Sequence, residues 1–290
     1  MIDFIRKRKI WYALSTVIIL IGLIAVFVNG LNYGVDFRGG SLLHFKFQDT
    51  VATEQLRTAL GDLGLEDVNI QESTDNTHIV KTVELTEERE QEITTGLSEK
   101  LGQFDLLRSE KVGPVIGSEL RNAALLALLV ASVLQIIYIT IRFEFKFAIS
   151  AILGLLHDVL VAVGFFAIFQ LEVDSTFVAA ILTIIGYSIN DTIVIFDRIR
   201  ENLRNRKKED LADLINKSVN QTIVRSLITG VSVIIVLIAL LFLGGETTKN
   251  FSLALLVGVL CGTYSSIFFC SPLLYDLKPE EHRKGKAAKA

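Results

Sequence analysis

Residues 177–196 read FVAAILTIIGYSINDTIVIF, a mainly apolar stretch that contains one carboxylate, Asp191. A helix that crosses a bilayer needs about 20 such residues, because the hydrocarbon core is about 30 Å thick and the helix rises about 1.5 Å per residue. The stretch therefore predicts a transmembrane helix. Five further runs of this kind occur, at residues 10–28, 123–141, 147–169, 223–243 and 251–275. With 51% hydrophobic and 21% charged side chains among 290 residues, the sequence predicts an α-helical polytopic membrane protein with six transmembrane helices.

Charge, cysteine content and motifs argue against several other classes of protein. The net charge of −3 does not suit a nucleic-acid-binding protein. Cys261 and Cys270 share one apolar run, which suits neither a disulfide framework nor a metal site. The sequence contains no nucleotide-binding or familiar hydrolytic signature. We therefore expect no bond-making enzyme and no cofactor, with protons as the coupling ion and the available source of energy.

The basic residues predict the orientation of the chain in the membrane. They gather at residues 6–9, at Arg142 and Lys146, and at residues 198–225 and 278–289, whereas the two short opposite loops hold Lys249. Because short cytoplasmic loops are enriched in Lys and Arg, both termini are predicted to be cytoplasmic. The first span is expected to be retained, since its apolar run exceeds the roughly 7–15 residues of a signal-peptide core.

The long connection after the first span predicts a small folded domain outside the membrane. Residues 31–118 hold 16 acidic and 8 basic residues, so the domain is acidic. Strands are predicted at residues 41–47, 68–71, 78–83 and 105–112, and helices at residues 53–63 and 87–101. Gly64 and Gly102 stand where the helices should end. This order is the split βαβ arrangement of ferredoxin-like α+β domains.

The predicted organisation follows from these assignments. It comprises a cytoplasmic N-terminus (1–9), transmembrane helix 1 (10–29), an extracytoplasmic α+β domain (30–118), a bundle of transmembrane helices 2–6 (119–275) and a cytoplasmic basic tail (276–290).

Asp191 is the clearest functional candidate, because an ionised group in a membrane helix costs about 2.5–3.5 kcal/mol even on lenient scales. It lies about 9 Å from the end of its span at Asp197, at the helical rise per residue. Its predicted polar lining consists of Tyr187, Ser188, Asn190 and Thr192. Arg225, at the start of the fifth span, is the predicted counter-charge in an inter-helix salt bridge. The alternatives are a carboxylate satisfied by another helix and an arginine that reaches the lipid headgroups.

Two further features lie inside the spans. His157 and Asp158, near the middle of the third span, suit a proton relay, or they hydrogen-bond a neighbouring helix and do no more. Small residues at strict four-residue steps in the sixth span predict close packing of another helix. They are Ala254, Gly258, Gly262 and Ser266.

Several motifs, in order, resemble those of the SecD/SecF family of protein-export membrane subunits, within the RND superfamily. They are GVDFRGG at 34–40, HD at 157–158, GYSINDT at 186–192, FDRIREN at 196–202, NQT at 220–222 with Arg225, GGE at 244–246 and GTYSSIF at 262–268. The resemblance covers nearly the whole chain. One departure is that residues 226–232 are leaner in Ser and Thr than is usual in the family.

The resemblance implies a SecF-type subunit that works with SecD and uses the proton motive force to drive or complete preprotein export. Asp191 would be the protonatable acid, with Arg225, His157 and Asp158 along the proton pathway. Residues 36–40 would couple the first helix to the moving outer domain, through Asp36, Arg38, Gly39 and Gly40. Implied partners are SecD, the SecY/SecE/SecG translocon with SecA on the cytoplasmic side, YajC, YidC, secretory preproteins and membrane lipids, with no nucleic acid. The implied location is the bacterial inner membrane.

Two other functions remain open from the sequence. One is an RND-type proton-coupled exporter of small molecules or lipids, although the outer domain is small for an efflux protein. The other is a structural scaffold for the translocon or an insertase, in which Asp191 and Arg225 would affect only stability.

Overall fold

The computed structural model describes residues 2–66, 68–72, 76–206 and 209–278. Most of the predicted basic tail, from residue 279 onward, lies outside these residues, as do Lys207 and Lys208 of the basic run after the fourth span. Six helices in the described part are long and apolar enough to cross a membrane, which agrees with the predicted fold class.

The membrane helices extend beyond the apolar runs that predicted them. They are α1 (Arg8–Asn29), α5 (Pro114–Arg142), α6 (Phe145–Ile168), α7 (Ser175–Arg204), α8 (Leu211–Leu243) and α9 (Glu246–Ser265). A π-helical turn (Ser266–Cys270) and α10 (Ser271–Leu277) continue the last span. The largest extension is at the start of α8, where the helix begins at Leu211 rather than at the apolar residue 223. Hydropathy identifies only the part of a helix that lies in hydrocarbon, so it does not predict the polar ends of the helix.

The domain between α1 and α5 is ferredoxin-like, as predicted. Its elements are β2 (Gly40–Phe47), α3 (Thr53–Asp62), β3 (Asn69–Glu72), β4 (Thr77–Thr82), α4 (Glu87–Leu101) and β5 (Phe104–Val112). The sheet is antiparallel, in the order β3-β4-β2-β5. Alternate residues of β2, including Leu43 and Phe45, share one core with Leu60 of α3 and Leu97 of α4. The helices therefore cover one face of the sheet.

Two short elements connect this domain with the bundle. They are β1 (Asn32–Tyr33), which pairs in parallel with β6 (Glu172–Val173) between α6 and α7, and α2 (Val35–Arg38). Phe37 of α2 is buried in the same core as Phe166 and Phe177 of the bundle. The start of α7 is thereby fixed to the base of the domain.

The helices α6 and α7 form the centre of the bundle, and α5 lies at its edge. Half of the most apolar window of α6 and of α7 is buried, but only 6% of that of α5. Packing of α1 on α6 is closest at Gly22 and Gly164, where a Cβ on either residue would lie within 3 Å of the other's Cα. Only residues without a side chain allow helix backbones to approach so closely.

Candidate functional site

The first intramembrane acid, Asp158, is fully buried and fully bonded. Its Oδ1 lies 2.9 Å from His157 Nδ1, and its Oδ2 accepts hydrogen bonds from Ser188 (2.5 Å) and Ser265 (2.8 Å). The other ring nitrogen of His157, Nε2, lies 3.1 Å from Ser15 Oγ in α1. This network joins α1, α6, α7 and α9 in the centre of the bundle. A buried carboxylate with this many partners stabilises a particular helix arrangement.

Aromatic rings enclose the same network. The imidazole of His157 stacks on Tyr264 and Phe269, with ring centroids 6.0 and 5.1 Å apart. The Tyr264 hydroxyl lies 3.3 Å from Ser15 Oγ and donates to the carbonyl of Trp11. Of the two alternatives for His157 and Asp158, the geometry favours a hydrogen-bonded connection between helices.

The second intramembrane acid, Asp191, is equally buried but differently surrounded. Its exposed fraction is 4%, and its Oδ2 has no hydrogen-bond partner among the described residues. Within the described membrane helices, three other buried oxygens also lack a hydrogen bond of standard geometry, those of Tyr187, Ser226 and Thr263, although Ser226 interacts with Asp191 and Thr263 with Tyr187. They belong to α7, α8 and α9. The carboxylate therefore lies at the seam of these three helices, where the Ser226 hydroxyl interacts with it.

The four residues predicted to line this acid are separated in the structure. Tyr187 precedes Asp191 by one helical turn and faces the same seam. Ser188 instead binds Asp158, and Thr192 shares a 2.8 Å hydrogen bond with Ser266. Asn190 is exposed on the outer face of α7. Successive residues of a helix point about 100° apart around its axis, so residues adjacent in sequence lie on different faces.

The predicted salt bridge between Asp191 and Arg225 is not formed. None of the ion pairs of the described residues joins the two, and Arg225 is exposed. Arg225 instead lines a groove of about 350 Å³ between α7 and α8, together with Val194, Asp197, Arg198, Glu201, Gln221 and Thr222. The residue after it, Ser226, is the one that points inward to the seam. Arg225 and Ser226 therefore lie on different faces of α8, so Arg225 acts on Asp191 through longer-range attraction and not through a direct ion pair.

The small residues of the last span pack along α7, and each contacts an α7 residue four positions beyond the one before. A Cβ on Gly258 would lie 2.2 Å from the side chain of Ile184, and one on Gly262 would lie 3.0 Å from that of Ser188. Ser266 bonds Thr192 one turn further on. Ala254 is fully buried in the core at the other end of this row. The row places α9 directly on α7.

The segment predicted to act as a hinge lies against the start of α7. The carboxylate of Asp36 accepts hydrogen bonds from both the backbone N–H and the hydroxyl of Ser175. Gly39 and Gly40 have φ values of 82° and 142°, and a Cβ on Gly40 would lie 2.4 Å from the carbonyl oxygen of Thr82. Glycine is therefore required at both positions. Arg38 is exposed and borders a cavity of about 290 Å³ between domain and bundle.

An ion pair that the sequence did not suggest spans the same junction. Lys81 of β4 pairs with Glu172 of β6, and both side chains are largely buried. Sequence analysis also missed Ser15, Ser226, Thr263 and Tyr264. Two of these, Thr263 and Tyr264, lie in the family motif at 262–268, which could have drawn attention to them. An isolated hydroxyl in an apolar run does not show which helix it will face.

Comparison with known proteins identifies the family. The family model of the protein export membrane protein SecD/SecF, C-terminal, matches residues 93–280, and that of the SecD/SecF GG motif matches residues 24–51. The chain is 43% identical to the protein translocase subunit SecF of Sebaldella termitidis, over 98% of this chain and 96% of that protein. It is 40% identical to SecF of Calditerrivibrio nitroreducens, over 96% of this chain and 94% of that one.

A crystal structure of SecDF from Thermus thermophilus, described as a translocon-associated membrane protein, has a similar fold. Its TM-score is 0.87 at 36% identity, over 96% of this chain. This chain spans about two fifths of that SecDF chain, 39% of its length. These matches favour a translocase subunit over the alternative of a small-molecule exporter. The chain therefore belongs to the SecD/SecF family of protein-export membrane proteins, as a SecF-type protein translocase subunit.

Proposed function

We propose that this SecF-type subunit couples the proton motive force to preprotein export through Asp191. The observation that carries the proposal is a carboxylate 4% exposed, inside a membrane-spanning helix, with an unpartnered oxygen. A buried carboxylate of this kind is costly when ionised, so its charge can be exchanged for a proton. Each elementary charge that crosses the membrane supplies about 2.3 kcal/mol per 100 mV.

Protonation of Asp191 acts on the seam between α7 and α8. When the acid is ionised, the seam must accommodate a charge, and Arg225 in the adjoining groove attracts it. When the acid is neutral, that attraction is lost and the two helices can adopt a different packing. A few kcal/mol suffices to change the populations of two helix arrangements.

A displacement of α7 is transmitted to the outer domain by direct contacts. Ser175, the first residue of α7, is bonded to Asp36 of α2. Glu172, just before the helix, is paired with Lys81 of the domain sheet. A change in α7 would therefore turn or tilt the domain, with Gly39 and Gly40 accommodating the change in backbone direction. The domain would pull or hold the emerging preprotein by this movement.

SecD is the partner that this mechanism requires. SecDF proteins such as that of Bacillus subtilis match this chain over 39% of their own length, at 40% identity. The outer face of α7 exposes Thr183, Gly186 and Asn190, which are unusual residues to present to lipid. We assign this face to SecD. The family resemblance supports the SecY/SecE/SecG translocon, SecA, YajC and YidC as further partners and the bacterial inner membrane as the location. The distribution of basic residues supports cytoplasmic termini.

Complementation tests the proposal in cells that are depleted of their own SecF. Asp191→Asn should co-purify with SecD in normal yield and yet fail to restore export, because the amide cannot exchange a proton. Asp197→Asn, about one and two-thirds turns further along α7 and partly exposed in the groove, is the matched control and should restore export. Full complementation by Asp191→Asn would refute the proposed role of the carboxylate.

A further inference from the structure

The segment that precedes α1 binds along the first turns of α8. It comprises residues 2–7, and we call it the strap. The side chains of Phe4 and Ile5 are fully buried in the core to which Leu214 of α8 belongs. The ring of Phe4 also packs edge-on against Phe268, with ring centroids 5.4 Å apart. Because two apolar side chains of the strap lie in this core, water-exposed contacts are not all that holds it to the helix.

Two asparagines of α8 bind the backbone of the strap. The Oδ1 atom of Asn216 accepts hydrogen bonds from the backbone N–H groups of residues 4–5, at 2.9 and 3.2 Å, and its Nδ2 donates to Asp3 Oδ1 at 2.8 Å. One turn further along α8, Asn220 accepts from the N–H of Ile2 at 3.1 Å and donates to its carbonyl oxygen at 2.9 Å. An extended segment has no internal partners for its backbone groups, and the two amide side chains supply them.

The same turns of α8 are bonded to α7 from another direction. Gln221 Oε1 accepts hydrogen bonds from Arg198 Nε at 2.7 Å and from Asn202 Nδ2 at 3.0 Å. Asn202 also donates to Ser218 Oγ at 2.8 Å. Arg198 and Asn202 belong to the FDRIREN motif, and Gln221 belongs to the NQT motif. The start of α8, which we call its inner end, is therefore held by both the strap and α7.

The other end of α8, toward the outer domain, is held much less. Within α8, all of which the structure describes, ten of the eleven buried residues lie between Leu211 and Gly230. Beyond Gly230 the buried residue is Leu237, and apolar side chains such as Ile235 and Phe242 are exposed. Few buried contacts make a segment the first to move. The outer end of α8 therefore has more freedom to move than the inner end.

Asp191 meets α8 at the boundary between these two parts. Ser226, which interacts with Asp191, lies six residues beyond Asn220, or about 9 Å along the helix. It lies four residues before Gly230. A change in charge at Asp191 thus acts on α8 just beyond the part that is held. Because the inner end is fixed, the outer end must take up the displacement.

We propose that Asn216 and Asn220 bind the strap as an anchor for the inner end of α8, so that neutralisation of Asp191 moves the outer end of α8 while the inner end stays in place. Asn216 and Asn220 are positioning residues, since they act on α8 through the strap. The inference deepens the proposed function and rests on it for the origin of the force. Binding of the strap is a separate question that can be measured directly.

An exchange of side chains between the strap and α8 tests the anchor. Asn216→Asp brings a second carboxylate to Asp3 and should release the strap. Asn216→Asp combined with Asp3→Asn restores a carboxylate and an amide in reversed order, so this double variant should hold it. Asn220→Ala removes the two bonds to Ile2 and is a milder second variant. Asn205→Asp, exposed at the end of α7, is the matched control.

Three measurements are made on the complex of this chain with SecD. Hydrogen exchange of the amides of residues 4–5 in nanodiscs reports binding of the strap. Distances between spin labels report the two ends of α8 relative to α1, with one pair at Lys9 and Lys217 and the other at Val28 and Leu243, all exposed positions. Export is measured by complementation of cells depleted of SecF. The distances are compared with and without Asp191→Asn, which mimics the protonated acid.

In the otherwise unchanged protein, Asp191→Asn should shift the distance at the outer end of α8 and leave the distance at the inner end as it was. Asn216→Asp should speed exchange of the strap amides by about 100-fold, as expected for a broken charge-bearing contact. It should also broaden the inner distance, remove the outer shift and lower export, with SecD still bound. Asn220→Ala should act in the same direction by about tenfold in exchange. The double variant should recover all three properties, and Asn205→Asp should behave as wild type.

Three results would overturn the anchor. One is a strap that remains protected in Asn216→Asp. Another is a released strap in Asn216→Asp or Asn220→Ala with a wild-type outer shift and wild-type export. The third is an equal shift at both ends of α8 when Asp191 is replaced. Failure of the double variant to recover export, with its strap bound again, would likewise show that the anchor does not serve export.

The anchor and the coupling role of Asp191 fail in different ways. If Asp191→Asn stops export while Asn216→Asp releases the strap and exports normally, the coupling role stands and the anchor is wrong. If Asp191→Asn exports normally while Asn216→Asp loses export and the double variant recovers it, strap binding is needed for export and the coupling role is wrong.

Discussion

The hydroxyl of Ser188 donates a 2.5 Å hydrogen bond to Oδ2 of Asp158 and thereby ties α7 to α6. Three residues further along α7, Asp191 faces another seam, where its Oδ2 has no partner among the described residues. The helix α7 thus binds the buried acid Asp158 of α6 and carries a second buried acid, Asp191, in a different environment. The first is held by histidine and serine side chains, as a structural group would be, and the second retains the freedom to change its charge.

Removing the charge of each acid should therefore change the stability of the protein in opposite directions. Asp158→Ala removes the acceptor for Ser188, Ser265 and His157, and should lower the free energy of unfolding by about 3 kcal/mol. Asp191→Asn removes an uncompensated buried charge and should leave stability unchanged or raise it. Unfolding of the purified protein in mixed detergent micelles measures both. Equal stability of the two variants would contradict the assignment of different roles.

The glycines at the contact of α1 and α6 should tolerate no side chain. Gly22→Ala and Gly164→Ala would each place a Cβ within 3 Å of the facing Cα, and backbone atoms cannot yield as a side-chain end can. We expect a loss of about 1–3 kcal/mol from each, as for overpacked cores. Gly186→Ala is the control, because nothing lies within 4 Å of its Cβ position. A smaller effect at Gly22 than at Gly186 would show that the two helices separate easily.

The buried pair of Lys81 and Glu172 should fix the domain to the bundle. Lys81→Met leaves Glu172 buried and unpaired, which should cost about 3–5 kcal/mol of docking and expose the junction at residues 30–40 to protease. Lys100→Met breaks the exposed pair with Asp62 and should change docking by less than about 1 kcal/mol. Limited proteolysis in nanodiscs compares the two variants. The same resistance in both would mean that other contacts hold the domain.

The sequence was sufficient for the fold because its signals are periodic and local. Long apolar runs located the membrane helices, and alternating strands with Gly64 and Gly102 located the ferredoxin-like domain. Asp191 could be singled out because an acid in hydrocarbon is costly wherever its helix packs. These inferences need no knowledge of which helices touch.

The partners of the polar residues depend on how each helix is rotated about its own axis in the bundle. The sequence does not specify that rotation. The pairing of Asp191 with Arg225 failed because Arg225 faces the groove while Ser226 faces the seam. Ser188 was grouped with Asp191 by proximity in sequence, yet it binds Asp158. The ion pair of Lys81 and Glu172 joins residues far apart in the chain, one in β4 and one in the two-residue strand β6. No local pattern could have connected them.

The most direct test of the central claim is the dependence of preprotein release on the proton motive force. Membrane vesicles that carry wild-type or Asp191→Asn protein are compared with and without an imposed gradient, and assembly with SecD is verified by co-purification. The account predicts that Asp191→Asn assembles but loses the gradient-dependent part of release. Equal gradient dependence in the two proteins would show that Asp191 is structural and would contradict the account.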